Sequence, residues 1–248
     1  MSSFLPTTPA PLSWLWDWYQ WIPTLLPGLG TALLLTLVSV GVGYPLGFGL
    51  ALLTETRSAL ARWFAIVVVE VGRGLPILVL LLLVYRGLPS VGILFDAFLS
   101  ASVALVWSSA AYSAEIIRTG LGAVPRGQFD AAYALSMNRT DMYRLIVLPQ
   151  ALRVSIPPLV NLGITMFHAT SLATVITVEE IMHIANLEGS IYFRYMSVFM
   201  AAAVIYLAIT VPVSLYADRL AKRLGGVMTV RKTVLRRPAG SVPVSAES

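Results

Sequence analysis

The chain has no cysteine among its 248 residues, which excludes disulfides, thiolate metal sites and a cysteine nucleophile. Charge is scarce too: Asp, Glu, Lys and Arg make up 12% of the residues, against about 25% in an average soluble domain. No Gly-x-x-x-x-Gly-Lys-[Ser/Thr] loop occurs, so the chain does not hydrolyse ATP by itself. No Gly-x-Ser-x-Gly elbow occurs, which argues against an intramembrane hydrolase built on His168 and Ser171. The first 23 residues lack Lys and Arg, and with them the basic start of a cleavable signal peptide.

What is present is apolar. Hydrophobic residues make up 57% of the chain. A soluble core of this size cannot hide so much apolar surface, so the expected solvent is lipid. The net charge of +5 follows the loops beside hydrophobic runs and gives no reason to expect nucleic acid.

A spanning helix needs about 20 largely apolar residues. Five candidates meet that length: 27–53, 63–85, 91–118, 154–178 and 195–217. The expected fold is therefore all-α and integral to a membrane. Gly41, Gly43, Gly47 and Gly49 in the first candidate allow close helix contacts in lipid. Residues 1–23, with Trp14, Trp16, Trp18, Tyr19 and Trp21, suit a segment at the headgroup level. Residues 24–224 form the expected transmembrane domain, and the basic tail 225–248 is expected to be disordered.

The segment 119–150 is too polar to span and reads as short amphipathic helices, with Asp141 capping the second and Pro149 ending it. Arginine placement sets the orientation. One face collects 14 of the 17 Lys and Arg, among them Arg57, Arg62, Arg118, Arg126, Arg139, Arg144 and Arg153. That face is expected to be cytoplasmic, with the N-terminus outside and the C-terminus inside.

Polar groups inside spans are costly and face a partner or a wet cavity. Glu70 and Arg73 are three apart and share one helix face, where they either form a structural ion pair or belong to the substrate pathway; Glu115 and Arg118 can pair in the same way. Asn161, Thr165, His168, Thr170, Ser171 and Thr174 punctuate the fourth span. Asn161, Thr165 and His168 share one face, as do Ser171 and Thr174. They either line a path for ammonium and carboxylate groups or bond to neighbouring helices, the latter at about 0.6 kcal/mol each.

Pro125-Arg126-Gly127-Gln128-Phe129-Asp130-Ala131-Ala132, then Ala134-Leu135-Ser136, then Ile146-Val147-Leu148-Pro149 resembles the "EAA" loop of importer permeases driven by an ATP-binding cassette. Asp130 stands where that family usually has Glu, and Ser136 where it usually has Gly. The resemblance runs from about Thr31 to Leu224. It narrows to the polar amino-acid uptake family (histidine, glutamate, glutamine, arginine and opine systems) through Glu70-Val71-Gly72-Arg73-Gly74-Leu75-Pro76, Ala111-Tyr112-Ser113-Ala114-Glu115-Ile116-Ile117-Arg118 and Ala169-Thr170-Ser171-Leu172. His168-Ala169 replaces the family's usual Lys-Asp or Lys-Asn, and Gly74-Leu75-Pro76 its frequent Gly-Thr-Pro.

The resemblance implies a type I importer permease fold in a bacterial inner membrane. It implies no cofactor in this chain, with ATP and magnesium on a partner ATPase dimer. It also implies a second permease and an external substrate-binding protein. Arg126, Gly127, Gln128, Asp130, Ala131, Ala132 and Ser136 would form the docking helix for the ATPase, with Ala131 and Ala132 seated in its groove. Serine at 136 would alter the bend that glycine permits there. An ion-gradient transporter would more often carry an inverted repeat, which is not evident in this sequence.

Overall fold

The computed structural model describes residues 17–224. Trp14, Trp16 and the basic tail lie outside the described residues. Among the described residues, four helical stretches are long and apolar enough to cross a membrane, and a bent pair makes a fifth crossing if counted as one span. The all-helical membrane architecture expected from the sequence is therefore present.

Helix α1, Ile22–Thr54, buries a single stripe: Leu25, Gly28, Ala32, Leu35, Ser39, Gly43, Gly47 and Ala51. Leu34, Leu37 and Leu46 point outward. Small residues inside and leucines outside is the pattern of a helix whose surroundings are as apolar as its core. The stripe packs on α4, Ala97–Gly122, which buries Ala101, Ala104, Ser109, Ala110, Ser113 and Ala114. Asp96 caps α4 by accepting from the Leu99 amide at 2.7 Å, so this span starts six residues later than the expected 91.

The second span is not continuous. Helix α2, Ala59–Gly74, and helix α3, Ile77–Leu82, with its extension to Val91, meet at 104°. Leu75 precedes Pro76 and takes the extended conformation (φ −92°, ψ 136°), as pre-proline sterics favour. Pro76 itself has no N–H to continue the helix. This corrects the uninterrupted span expected over 63–85.

Helix α5, Arg126–Ala134, precedes the short helix α6, Arg139–Met142. Asn138, rather than Asp141, caps α6: its side-chain oxygen accepts from the Asp141 amide at 2.8 Å. The chain then continues through a π-turn, Tyr143–Val147, into α7, Leu148–Ala169, and a 3-10 extension, Thr170–Ile176. Pro149 therefore ends nothing. It sits in the first turn of α7, and the wider turn just ahead of it absorbs the missing amide. The crossing expected at 154–178 belongs to one long helical unit from Arg139 to Ile176.

Helix α8, Ile181–Tyr192, was not foreseen, and α9, Tyr195–Leu224, outlasts its expected end by seven residues. At the aromatic end of the molecule Trp21 stacks on Tyr192 at 5.3 Å, and Arg194 pairs with Asp17 at 2.6 Å. Among the described residues, three buried clusters hold the bundle. One joins α1, α3 and α4 through Leu35, Leu80 and Leu105. One joins α4 to the α5–α7 segment at the arginine-rich end. One ties α1, α8 and α9 at the aromatic end through Leu25, Ile181 and Ala201.

Candidate functional site: the loop helix and the polar stripe of α7

Helix α5 starts after Pro125 and ends in a Schellman turn. The Met137 amide donates to the Ala132 carbonyl at 3.1 Å, and Ser136 takes a left-handed φ of 52°. Ser136 therefore does not change the bend. It adopts the glycine conformation and carries the steric cost, about 1 kcal/mol. Ser136→Gly is expected to raise the unfolding free energy by about 1 kcal/mol. Denaturant or thermal unfolding of both forms in detergent measures this, and an unchanged or lower stability would show the strain is absent.

The structure separates the two alanines of the motif. Ala132 is fully buried and packs among Ile117, Leu121, Val124, Met142, Val147 and Ala151. It belongs to this chain's own core and cannot sit in a partner's groove, as the sequence reading had it. Ala131 faces outward, with Arg126, Gly127, Gln128, Asp130 and Ser136. Tyr133 (62% exposed) and Leu135 (75%) extend this face as an apolar patch. Sequence spacing could have found the division, because adjacent helical residues point about 100° apart. The Gln128 side-chain oxygen accepts from the Gln150 amide at 3.2 Å, so α5 is fastened to the start of α7 by packing and by a polar bond. Arg139 donates to the Glu55 carbonyl at 3.3 Å, which ties the same segment to the turn after α1.

On α7, Asn161, Thr165 and His168 lie exposed along one face. Ser171 and Thr174 are half-buried beyond them, and Thr170 is fully buried. The hydroxyls of Thr165, Thr170 and Ser171 donate to the Asn161, Phe167 and His168 carbonyls, at 3.2, 2.7 and 2.7 Å. Thr170 and Ser171 also hydrogen-bond the Tyr206 hydroxyl of α9, so these two reach a neighbouring helix, whereas the Thr165 bond stays within α7. The Asn161 amide and the His168 ring are the groups left facing outward.

Glu70 and Arg73 do not join this stripe by any hydrogen bond or ion pair among the described residues. Arg73 stands 3.9 Å from Glu70 but 2.9 Å from Glu115, which also holds Arg118 at 2.8 Å. The two separate pairs expected from spacing are one network across α2 and α4. Gly72 allows this approach, because a Cβ there would lie 2.6 Å from Ala111 and 2.9 Å from Trp107. Glu70 is 61% exposed, and its share of the network contributes little.

Sequence reasoning missed Glu180. This residue, in the turn just before α8, is fully buried against Gly28 of α1 and Tyr206 of α9. Its carboxylate accepts from the Met182 and His183 amides at 2.9 and 2.8 Å, capping α8, and from the Tyr206 hydroxyl at 3.3 Å. The Tyr206 ring lies 6.1 Å from that of His168, so Glu180 stands behind the His168 end of the polar stripe. The available signal was an acid directly before the apolar Ile181-Met182.

Burial pushes the Glu180 carboxyl from 4.5 up to about 7, against the opposing pull of its hydrogen bonds. A raised carboxyl pKa stabilises the fold fully below the unfolded value near 4.5, and the contribution is lost as pH rises through about 7. The span of that loss is about 3 kcal/mol. Glu180→Gln is expected to flatten the fall in stability between pH 5 and 8, as read by thermal unfolding across that range. Parallel pH profiles for the two forms would refute the assignment.

These features define a class: a polytopic helical permease, with an exposed loop helix fastened to the base of a span that carries a polar stripe. Residues 43–226 match the family described as "Binding-protein-dependent transport system inner membrane component". The chain belongs to that family, which is one of transport permeases rather than enzymes. It is 37% identical over 201 residues to a probable amino-acid ABC transporter permease of Bacillus subtilis, YckA, covering 81% of this chain and 89% of the relative. It is 41% identical over 198 residues to the octopine transport permease OccM of Rhizobium radiobacter, covering 76% and 81%.

Among solved structures, an amino acid ABC transporter crystallised with histidines superposes with a TM-score of 0.79 at 33% identity, covering 83% of this chain and 96% of that one. The MetNI methionine ABC transporter, at 20% identity and a TM-score of 0.68, shares the fold. The type I importer permease fold expected from the sequence is thus the observed one.

Proposed function

We propose that this chain carries a polar amino acid or a closely related opine across a bacterial inner membrane. The observation that carries the reading is the face of Asn161, Thr165 and His168 on α7, which no described residue covers. An amide and an imidazole facing hydrocarbon are strongly disfavoured, so this face lines a wet path closed by a second permease, identical or related. An ammonium or carboxylate group finds donors and acceptors there. The names of the relatives, among them an arginine permease and a glutamate/aspartate permease, support the substrate class.

The arginine-rich end faces the cytoplasm, by the positive-inside rule. Two ATPase subunits, which hold the ATP and magnesium, dock on the outward face of α5: Arg126, Gly127, Asp130, Ala131, Tyr133 and Leu135. The mechanical path is short. Ala132 and the Gln128–Gln150 bond carry a displacement of α5 into the base of α7, whose upper part bears the stripe. Nucleotide state shifts transport only if the substrate binds the two resulting conformations with different affinity. An external binding protein delivers the substrate to the aromatic end.

The test is uptake of labelled polar amino acids and opines into vesicles holding this chain, its ATPase and its binding protein. Accumulation that requires ATP and all partners supports the reading. Uptake by the chain alone, driven by an ion gradient, defeats it. ATP-driven uptake of only non-amino-acid solutes would leave the permease assignment standing and overturn the substrate class.

A further inference from the structure

At the arginine-rich end a cavity of about 610 Å³ opens between the turn after α1 and the α6–α7 segment. Arg57, Arg139 and Arg144 line it with Glu55, so its charge is net positive. The arginines are not equivalent. Arg139 is held in place, donating to the Glu55 carbonyl at 3.3 Å and lying over the Tyr143 ring at 5.6 Å. Arg57 and Arg144 are exposed and make no ion pair or hydrogen bond to any described residue. Two free guanidinium groups beside a fixed third form a receptor for a phosphate, which guanidinium forks bind in paired hydrogen bonds. Thr56 and Thr140 line the same cavity.

The rest of the lining is apolar. Leu52 and Leu148 form part of the wall. The α1 helix is uncharged as far as Thr54, which places Leu52 at the edge of the hydrocarbon and Arg57 just beyond it. The next helix begins with Leu60 (83% exposed), Trp63 (63%) and Phe64 turned outward, and Leu145 (65%) flanks Arg144. An exposed tryptophan among leucines at this depth marks a lipid-facing corner. A soluble anion would use the arginines and leave the leucines idle.

We propose that this cavity binds one anionic phospholipid, its phosphate between Arg57 and Arg144 and its acyl chains along Leu52 and Leu148. Basic pockets between spans on the positively charged face of a membrane protein suit such headgroups. The lipid would join the turn after α1 to the base of the helical unit that carries the stripe. Membrane composition would thereby act on the helix that α5 drives. The proposal needs only a membrane-spanning chain and stands apart from the substrate assignment.

Native mass spectrometry of the purified full-length chain, titrated with phosphatidylglycerol or phosphatidylcholine, tests it. Phosphatidylglycerol is expected to bind at concentrations on the order of tenfold lower. Arg57→Gln with Arg144→Gln should erase that preference, while Arg57→Lys with Arg144→Lys keeps most of it. Arg86→Gln, in the Leu83–Gly87 turn that packs by the start of α4 and so at the other end of that helix from Arg118, should leave it unchanged. Equal binding of the two lipids by the natural chain overturns the proposal, as does a preference that survives the double glutamine variant. Displacement of the lipid by millimolar inorganic phosphate would assign the site to a soluble anion instead. Displacement by the ATPase subunit would assign the surface to that interface. If the double glutamine variant fails to fold, salt decides: a preference that fades as ionic strength rises supports the site, and one indifferent to salt overturns it.

Discussion

Gly47→Val is expected to destabilise the protein by about 3 kcal/mol or more, enough to prevent recovery of a folded chain in detergent. Gly47 is where α1 and α4 approach backbone to backbone. A Cβ at this position would overlap the Ser113 hydroxyl and come within 2.5 Å of the Ala110 carbonyl oxygen and 3.0 Å of the Ala114 nitrogen. Two of these three obstacles are main chain, so no side-chain rotation relieves the clash and the helices must separate.

Gly43, one turn earlier, is a similar case: a Cβ there would lie 2.6 Å from the Ser109 hydroxyl, and the two glycines form a small-residue seam. In lipid no hydrophobic gain holds two helices together, so the seam's close packing is what the interface depends on. Gly49→Val is the matched control, since nothing lies within 4 Å of its added Cβ. Thermal unfolding of the three forms decides the matter: a Gly47→Val melting temperature equal to that of Gly49→Val would show that the seam is not packed this way.

The same two glycines show how far the sequence can be read. Four glycines in the first span announced close packing, but their stretch did not say which of them met a neighbour. Gly43 and Gly47 fall on the buried stripe, whereas Gly41 and Gly49 face open space. Composition sufficed for the spans because hydrocarbon demands length and apolarity and little else.

Breaks in the spans depend on finer terms. Leu75-Pro76 carried a legible signal for the 104° corner that hydropathy overrode, whereas the π-turn that admits Pro149 has no signature in these residues. Charge partners were legible only within one helix. The Arg73–Glu115 contact depends on how α2 crosses α4, which spacing along a single helix cannot give. Glu180 falls outside every expected span, and its burial is imposed from outside its own segment, by Gly28 of α1 and Tyr206 of α9.

Ala131→Glu should leave the permease folded and reduce ATP-driven uptake on the order of a hundredfold or more, by releasing the ATPase. Ala131 lies on the exposed face of α5, so in the isolated chain the new carboxylate stays in water at little cost. Docked in a groove, the same carboxylate must shed its water against a site shaped for a methyl group. Burying an uncompensated charge costs on the order of 3–5 kcal/mol, which is a factor of hundreds or more in affinity.

Ala132→Glu tests the other side of the helix. Its carboxylate would enter the cluster of Ile117, Met142 and Val147, so it should lower the melting temperature of the isolated permease before any partner is added. The two variants differ by one position and fail at different stages. Co-purification with the ATPase, together with unfolding of the permease alone, separates them. Wild-type recovery of the ATPase with Ala131→Glu would place the docking surface elsewhere. Equal loss of permease stability in both variants would mean that the outward face of α5 is covered by the chain itself.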